Sequence, residues 1–114
     1  MLELFLCLIA VHALTDFSLQ SSWMAKYKSP LEMPAEFAGH KSKWFWIECL
    51  FAHSLVNGLG VGIVTNNIYL GILETFAHFT IDLGKCLKFW GVHYDQFLHI
   101  VTKILWAYLA IKLI

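Results

Sequence analysis

Four apolar stretches, each about as long as a bilayer-crossing helix, take up most of this chain, and each interrupts its apolar run with ionisable or amide residues. In the stretch at 68–88, Ile68, Leu70, Ile72, Leu73, Phe76, Phe79 and Ile81 belong in lipid. Glu74, His78 and Asp82 recur there at i, i+4 and i+8, a spacing that stacks them on one helix face. A charged residue at mid-bilayer costs roughly 2.5–3.5 kcal/mol on insertion scales, so such a stripe has to face polar partners rather than lipid. His12, Asp16 and Gln20 repeat the spacing in the first stretch, and Asp95, His99 and Lys103 repeat it in the last, with Gln96 beside them. In the second stretch His53 and Asn57 share a face, while Glu48 points elsewhere or lies near the water boundary.

The helices are expected at about 2–24, 44–65, 68–88 and 92–114, with a polar loop at 25–43. At 1.5 Å per residue the first spans about 33 Å, enough to cross a bilayer core. Pro30 and Pro34 deny backbone donors inside the loop, leaving room for a short surface helix between Pro34 and Gly39. Asn66-Asn67 and Phe89-Trp90-Gly91 are turns short enough to force antiparallel neighbours. Gly58, Gly60 and Gly62 would let another helix approach closely. The expected fold is therefore an all-α membrane protein, a four-transmembrane-helix up-down bundle forming a single domain over 1–114. A hydrophobic content of 59% against 14% charged residues is too high for an ordinary soluble domain.

Eight lysines balance eight acidic residues, so no basic face is available for nucleic acid. Cys7, Cys49 and Cys86 are far apart and read as packing residues. Met1–Leu14 carries Glu3 where a signal peptide would be basic, and reads as a retained helix. Trp23, Trp44, Trp46, Trp90 and Tyr94 fit interfacial anchors, and Trp106 a lipid-facing or packing residue. Lys26, Lys28, Lys41, Lys43, Lys85 and Lys88 fall on one side of an up-down bundle. The positive-inside tendency then places the long loop in the cytoplasm and both termini outside the cell membrane. The lipid bilayer is the expected partner.

Counted from the lysine-rich ends, most of the His and Asp residues lie roughly 9–18 Å deep. Four separate segments thus bring similar side chains to a similar level. Imidazole and carboxylate together ligate divalent metals, with zinc or manganese expected. The candidate ligands are His12, Asp16, His53, His78, Asp82, Asp95 and His99. These exceed the needs of one ion, so either two ions bind or spare carboxylates orient the imidazoles. Gln20, Asn57, Lys85 and Gln96 would support the ligands, and Glu74 or Asp82 could serve as the base that activates water. Lys103 could pair with Glu74. The same residues could also form a satisfied hydrogen-bond network without a metal. Three functions follow: a metal-dependent hydrolase of a membrane-proximal substrate, an ion, proton or small-molecule transport component acting as a homo-oligomer, or a non-catalytic partner protein using the basic loop.

The ordered motifs His12-x-x-x-Asp16-Phe17-x-Leu19-Gln20, Trp23-Met24-Ala25-x-x-Lys28, His78-Phe79-x-Ile81-Asp82-x-x-Lys85 and Asp95-Gln96-x-x-His99 carry a resemblance. The chain resembles a family of small multi-helix membrane proteins from bacteria and phages catalogued as a domain of unknown function. That resemblance implies that His12, Asp16, Gln20, His78, Asp82, Lys85, Asp95, Gln96 and His99 belong to one recurring constellation. It implies no reaction. The chain is loosely similar to predicted membrane-bound metal-dependent hydrolases, but lacks their His-Arg-x-x-Thr-His-Ser run.

Overall fold

The computed structural model describes residues 1–32 and 44–114, and the regular structure among them is helical throughout. Helix α1 spans Leu2–Ala13 and passes into a π-helical stretch, Leu14–Ser18. Helices α2 (Ser22–Tyr27), α3 (Phe45–Thr65), α4 (Ile68–Cys86) and α5 (Val92–Lys112) follow. The sequence predicts one helix from Leu2 to Met24, and the structure divides it. The Leu19 amide reaches five residues back to the Leu14 carbonyl at 2.8 Å, which widens the last turn. Ser21 then turns extended and caps α2, its hydroxyl accepting the Met24 amide at 3.0 Å. A serine side chain that satisfies an orphan amide favours starting a new helix over continuing the old one.

This division changes the reading of the loop. Residues 25–43 were expected to lie outside the bundle, yet α2 folds back and delivers Lys28 into the interior, where it is 1% exposed. The expected short helix between Pro34 and Gly39, together with His40, Lys41 and Lys43, lies outside the described residues.

Helices α3 and α4 form an antiparallel hairpin. Asn66 takes the left-handed conformation at φ 51°, which asparagine tolerates better than most residues. The Asn67 side chain caps α4, accepting the Tyr69 amide at 2.9 Å and the Leu70 amide at 3.3 Å. Gly58 and Gly62 meet Gly71 backbone to backbone; a Cβ on Gly71 would lie 2.7 Å from the Gly58 carbonyl oxygen. Gly60 faces Val11 of α1 instead. Gly71→Val is therefore expected to force the hairpin apart and destabilise the protein by about 1–3 kcal/mol, the usual range for overpacking. A thermal unfolding curve in detergent checks this, with Gly91→Val as the control, because a Cβ on Gly91 meets nothing within 4 Å.

The interior changes character along the bundle. Near the Asn66-Asn67 turn, Leu8, Val61, Leu70, Trp106, Ala107 and Ala110 pack as an apolar cluster. Towards the other end the buried residues are polar: His12, Asp16, Lys28, His53, Glu74, His78, Asp82, Asp95 and His99. The outer surface shows Leu6, Phe51, Leu59, Ile63, Phe76, Phe97, Ile104 and Ile111 exposed. Among the described residues, α3 is the helix long and apolar enough to cross a membrane by length and composition. Helices α4 and α5 have similar lengths, but Glu74, Asp82 and Lys85 interrupt the first, and Asp95, Lys103 and Lys112 the second.

Candidate metal centre

All seven predicted ligands come together, each from a position on a rigid helix. α1 and its π-helical extension supply His12 and Asp16, α3 supplies His53, α4 His78 and Asp82, and α5 Asp95 and His99. None of the seven is more than 4% exposed. Placing Asp16 in the π-helical stretch turns its carboxylate towards α3 and α4. Asp16 Oδ1 lies 3.0 Å from His53 Nε2 and 3.3 Å from His78 Nε2. The two imidazole Nε2 atoms face each other at 3.1 Å. Asp82 Oδ2 stands 3.5 Å from His53 Nε2 and 3.6 Å from His78 Nε2.

Three of these five distances, 3.3, 3.5 and 3.6 Å, match the edges of a metal site, and the 3.0 and 3.1 Å contacts are shorter. Metal–ligand bonds of about 2.0–2.2 Å at the tetrahedral angle separate neighbouring donor atoms by about 3.3–3.6 Å. Asp16, His53, His78 and Asp82 offer donor atoms within 4.8 Å of one another, all buried. Two nitrogens nose to nose beside two carboxylate oxygens need a proton or a cation between them, and a divalent ion answers every contact at once.

Neighbouring side chains hold this set in place. Gln96 donates to Asp16 Oδ2 at 2.9 Å, and its own carbonyl oxygen lies 3.0 Å from His12 Nε2. Gln20 donates to the Asp16 carbonyl at 3.2 Å. Asn57 accepts the Thr15 hydroxyl at 2.7 Å and donates to the His53 carbonyl at 3.0 Å, fixing the register of α3 against the π-helical stretch. Lys85, with a side chain 24% exposed, lies 3.5 Å from Asp82 Oδ1 and 3.7 Å from Asp95 Oδ2 at the edge of the cluster. The rings of His78 and His99 stack with centroids 4.3 Å apart.

Glu74 departs from its expected place as a free base. Lys103 Nζ donates to its Oε1 at 2.6 Å and Trp106 Nε1 donates to its Oε2. Glu74 Oε1 also lies 3.4 Å from His78 Nδ1, behind the ring rather than in front of it. It thus stands behind a candidate ligand, without a hydrogen bond to His78 Nδ1. Trp106, expected to face lipid or to pack, is a buried donor in this pair.

Lys28 is the site residue that periodicity missed. Its ammonium donates to both Asp82 Oδ2 and Gln20 Oε1. It keeps the four-residue spacing of His12, Asp16 and Gln20 but sits after a helix break, so spacing alone does not place it; its sequence signal is its place in the Trp23-to-Lys28 motif. Lys28→Met is expected to destabilise the metal-free protein by about 3–5 kcal/mol, because Asp82 would keep a buried charge without its ammonium. Added zinc should then raise the melting temperature of this variant more than that of the wild type, since the cation replaces the lost charge.

A cleft of about 140 Å³ opens beside the π-helical stretch. Thr15, Leu19, Met24 and Val56 line it, and His53 is at its wall. A larger groove of about 710 Å³ lies between α3 and α4 near their connecting turn and is lined by none of the clustered His or Asp residues.

No curated protein and no solved structure matches the chain. The family model described as a protein of unknown function, DUF3307, matches residues 4–114 and so covers every helix that contributes to the cluster. The chain belongs to the DUF3307 family.

Proposed function

We propose that this chain is a multi-pass membrane protein that holds a divalent cation, zinc or manganese, among Asp16, His53, His78 and Asp82, and hydrolyses a membrane-proximal substrate there. The observation that carries the reading is the set of donor-atom separations, 3.0, 3.1, 3.3, 3.5 and 3.6 Å, between these four residues. A bound cation supplies activated water and polarises the bond to be cleaved. The residues hold the site dry and fixed: Lys28 secures Asp82, Gln96 secures Asp16, and Glu74 backs His78. The cleft beside Leu19 and Met24 gives an apolar substrate a lateral path to His53.

Membrane insertion by α1 with its extension, α3, α4 and α5 is supported by the inverted distribution of side chains. Lysine, glutamate and aspartate are rarely buried in soluble domains, and broad exposed apolar surface marks a membrane or a partner. Lys26 and Lys88, with Lys41 and Lys43, favour a cytoplasmic loop and outside termini.

The test is to dialyse detergent-purified protein against zinc or manganese and then against buffer, and to count retained metal. Wild type is expected to keep it and His78→Ala/Asp82→Ala to lose it; no metal on either protein rejects the reading. The hydrogen-bonded run from His12 through Gln96, Asp16 and His53 to His78 favours a second reading, proton hand-over within an oligomer. Proton flux across reconstituted vesicles that disappears in His53→Ala would support it.

A further inference from the structure

The four-donor set leaves His99 and Asp95 unused, and their condition is unusual. His99 is fully buried, yet neither of its ring nitrogens has a hydrogen-bond partner. Asp95 is equally buried, and its Oδ1 is without a partner. An unsatisfied buried polar atom carries a desolvation cost of about 1–3 kcal/mol, and several gathered in one place call for a ligand.

His99 Nε2 lies 3.5 Å from Asp82 Oδ1, itself without a hydrogen-bond partner, and 3.5 Å from the second oxygen of Asp95, Oδ2. Donor atoms of Asp16, Asp95 and His99 all fall within 4.8 Å of each other. The Gln96 amide nitrogen is the group between the two carboxylates, 2.9 Å from Asp16 Oδ2 and 3.3 Å from Asp95 Oδ2. It stands where two anionic oxygens and an imidazole nitrogen converge, which suits a cation better than a neutral amide. Asp16 offers Oδ1 to the first set and Oδ2 to this one.

We infer that the centre takes a second divalent cation, held by Asp16, Asp95 and His99, with the Asp16 carboxylate bridging the two ions. This rests on the first cation site proposed above and deepens it. Paired catalytic ions commonly sit about 3.5–4 Å apart, a span that one bridging carboxylate accommodates. The second set has three protein donors and keeps a position open, the arrangement of catalytic ions. Lys85, 3.7 Å from Asp95 Oδ2 and partly exposed, stands at the edge of this set.

The experiment loads the protein in detergent with manganese and measures both the manganese-to-protein ratio and the electron paramagnetic resonance spectrum. Wild type is expected to bind two ions per chain with an exchange-coupled signal. His99→Ala is expected to bind one, with an uncoupled signal, and the near-isosteric Asp95→Asn provides the same test if the alanine variant does not fold. One uncoupled ion in wild type overturns this inference and leaves the first site standing. No ion in wild type overturns both. Two coupled ions retained in both variants overturn the assignment of Asp95 and His99.

Discussion

His53→Ala is expected to weaken zinc binding by more than about 100-fold while leaving the helical circular dichroism of the protein unchanged. Loss of a group that merely orients a ligand typically weakens metal affinity about 10–100-fold, and His53 is placed as a ligand itself. Its Nε2 is 3.0 Å from Asp16 Oδ1, 3.1 Å from His78 Nε2 and 3.5 Å from Asp82 Oδ2, so it touches every other member of the set. The fold should survive because α3 is held by other contacts. Asn57 and Thr15 tie it to the π-helical stretch, and Gly58 and Gly62 seat it against Gly71. Competition with a chelating zinc dye in detergent reads the affinity. An unchanged affinity would remove His53 from the site.

Lys103→Met is expected to destabilise the protein by about 3–5 kcal/mol, the cost of leaving a buried charge without its partner. Lys103 and Glu74 are 1% and 0% exposed, and their ion pair at 2.6 Å is completed by the Trp106 donor. The pair lies between the apolar cluster and the His/Asp centre, so its loss should loosen both. Replacing both partners, Lys103→Met/Glu74→Leu, should recover much of the loss, since a buried pair exchanged for apolar groups of similar volume is often neutral. Denaturant unfolding of the single and double variants in the same detergent gives the comparison. A double variant no better than Lys103→Met would show that Glu74 matters through His78, which it backs at 3.4 Å, more than through the lysine.

Much of the centre was legible because its residues obey helical spacing. His78 and Asp82 on α4, and Asp95 and His99 on α5, need only an unbroken helix to share a face, and both helices are unbroken. The hairpin was legible from Asn66-Asn67 and the nearby glycines for the same local reason. The first helix was not, because its break depends on the balance between an i→i+5 bond at Leu19 and the Ser21 cap. Lys28 keeps the four-residue spacing of His12, Asp16 and Gln20, but that break parts it from their helix, so the spacing does not place it. Its charge read as a loop lysine, whereas in three dimensions it neutralises Asp82. The role of Glu74 also needed coordinates: the spacing put it in line with His78 and Asp82, and only packing shows that Lys103 and Trp106 occupy its oxygens. Three carboxylates of the centre, Asp16, Asp82 and Asp95, face two lysines, Lys28 and Lys85, an imbalance that a cation or a protonated imidazole corrects.

X-ray absorption at the zinc edge on loaded, detergent-purified protein probes the centre most directly. A shell of nitrogen and oxygen neighbours at about 2.0–2.2 Å, with outer scattering from imidazole rings and no sulfur, is the expected spectrum. A sulfur shell at about 2.3 Å would instead place the ion on Cys7, Cys49 or Cys86, away from the His/Asp centre, and would contradict the assignment.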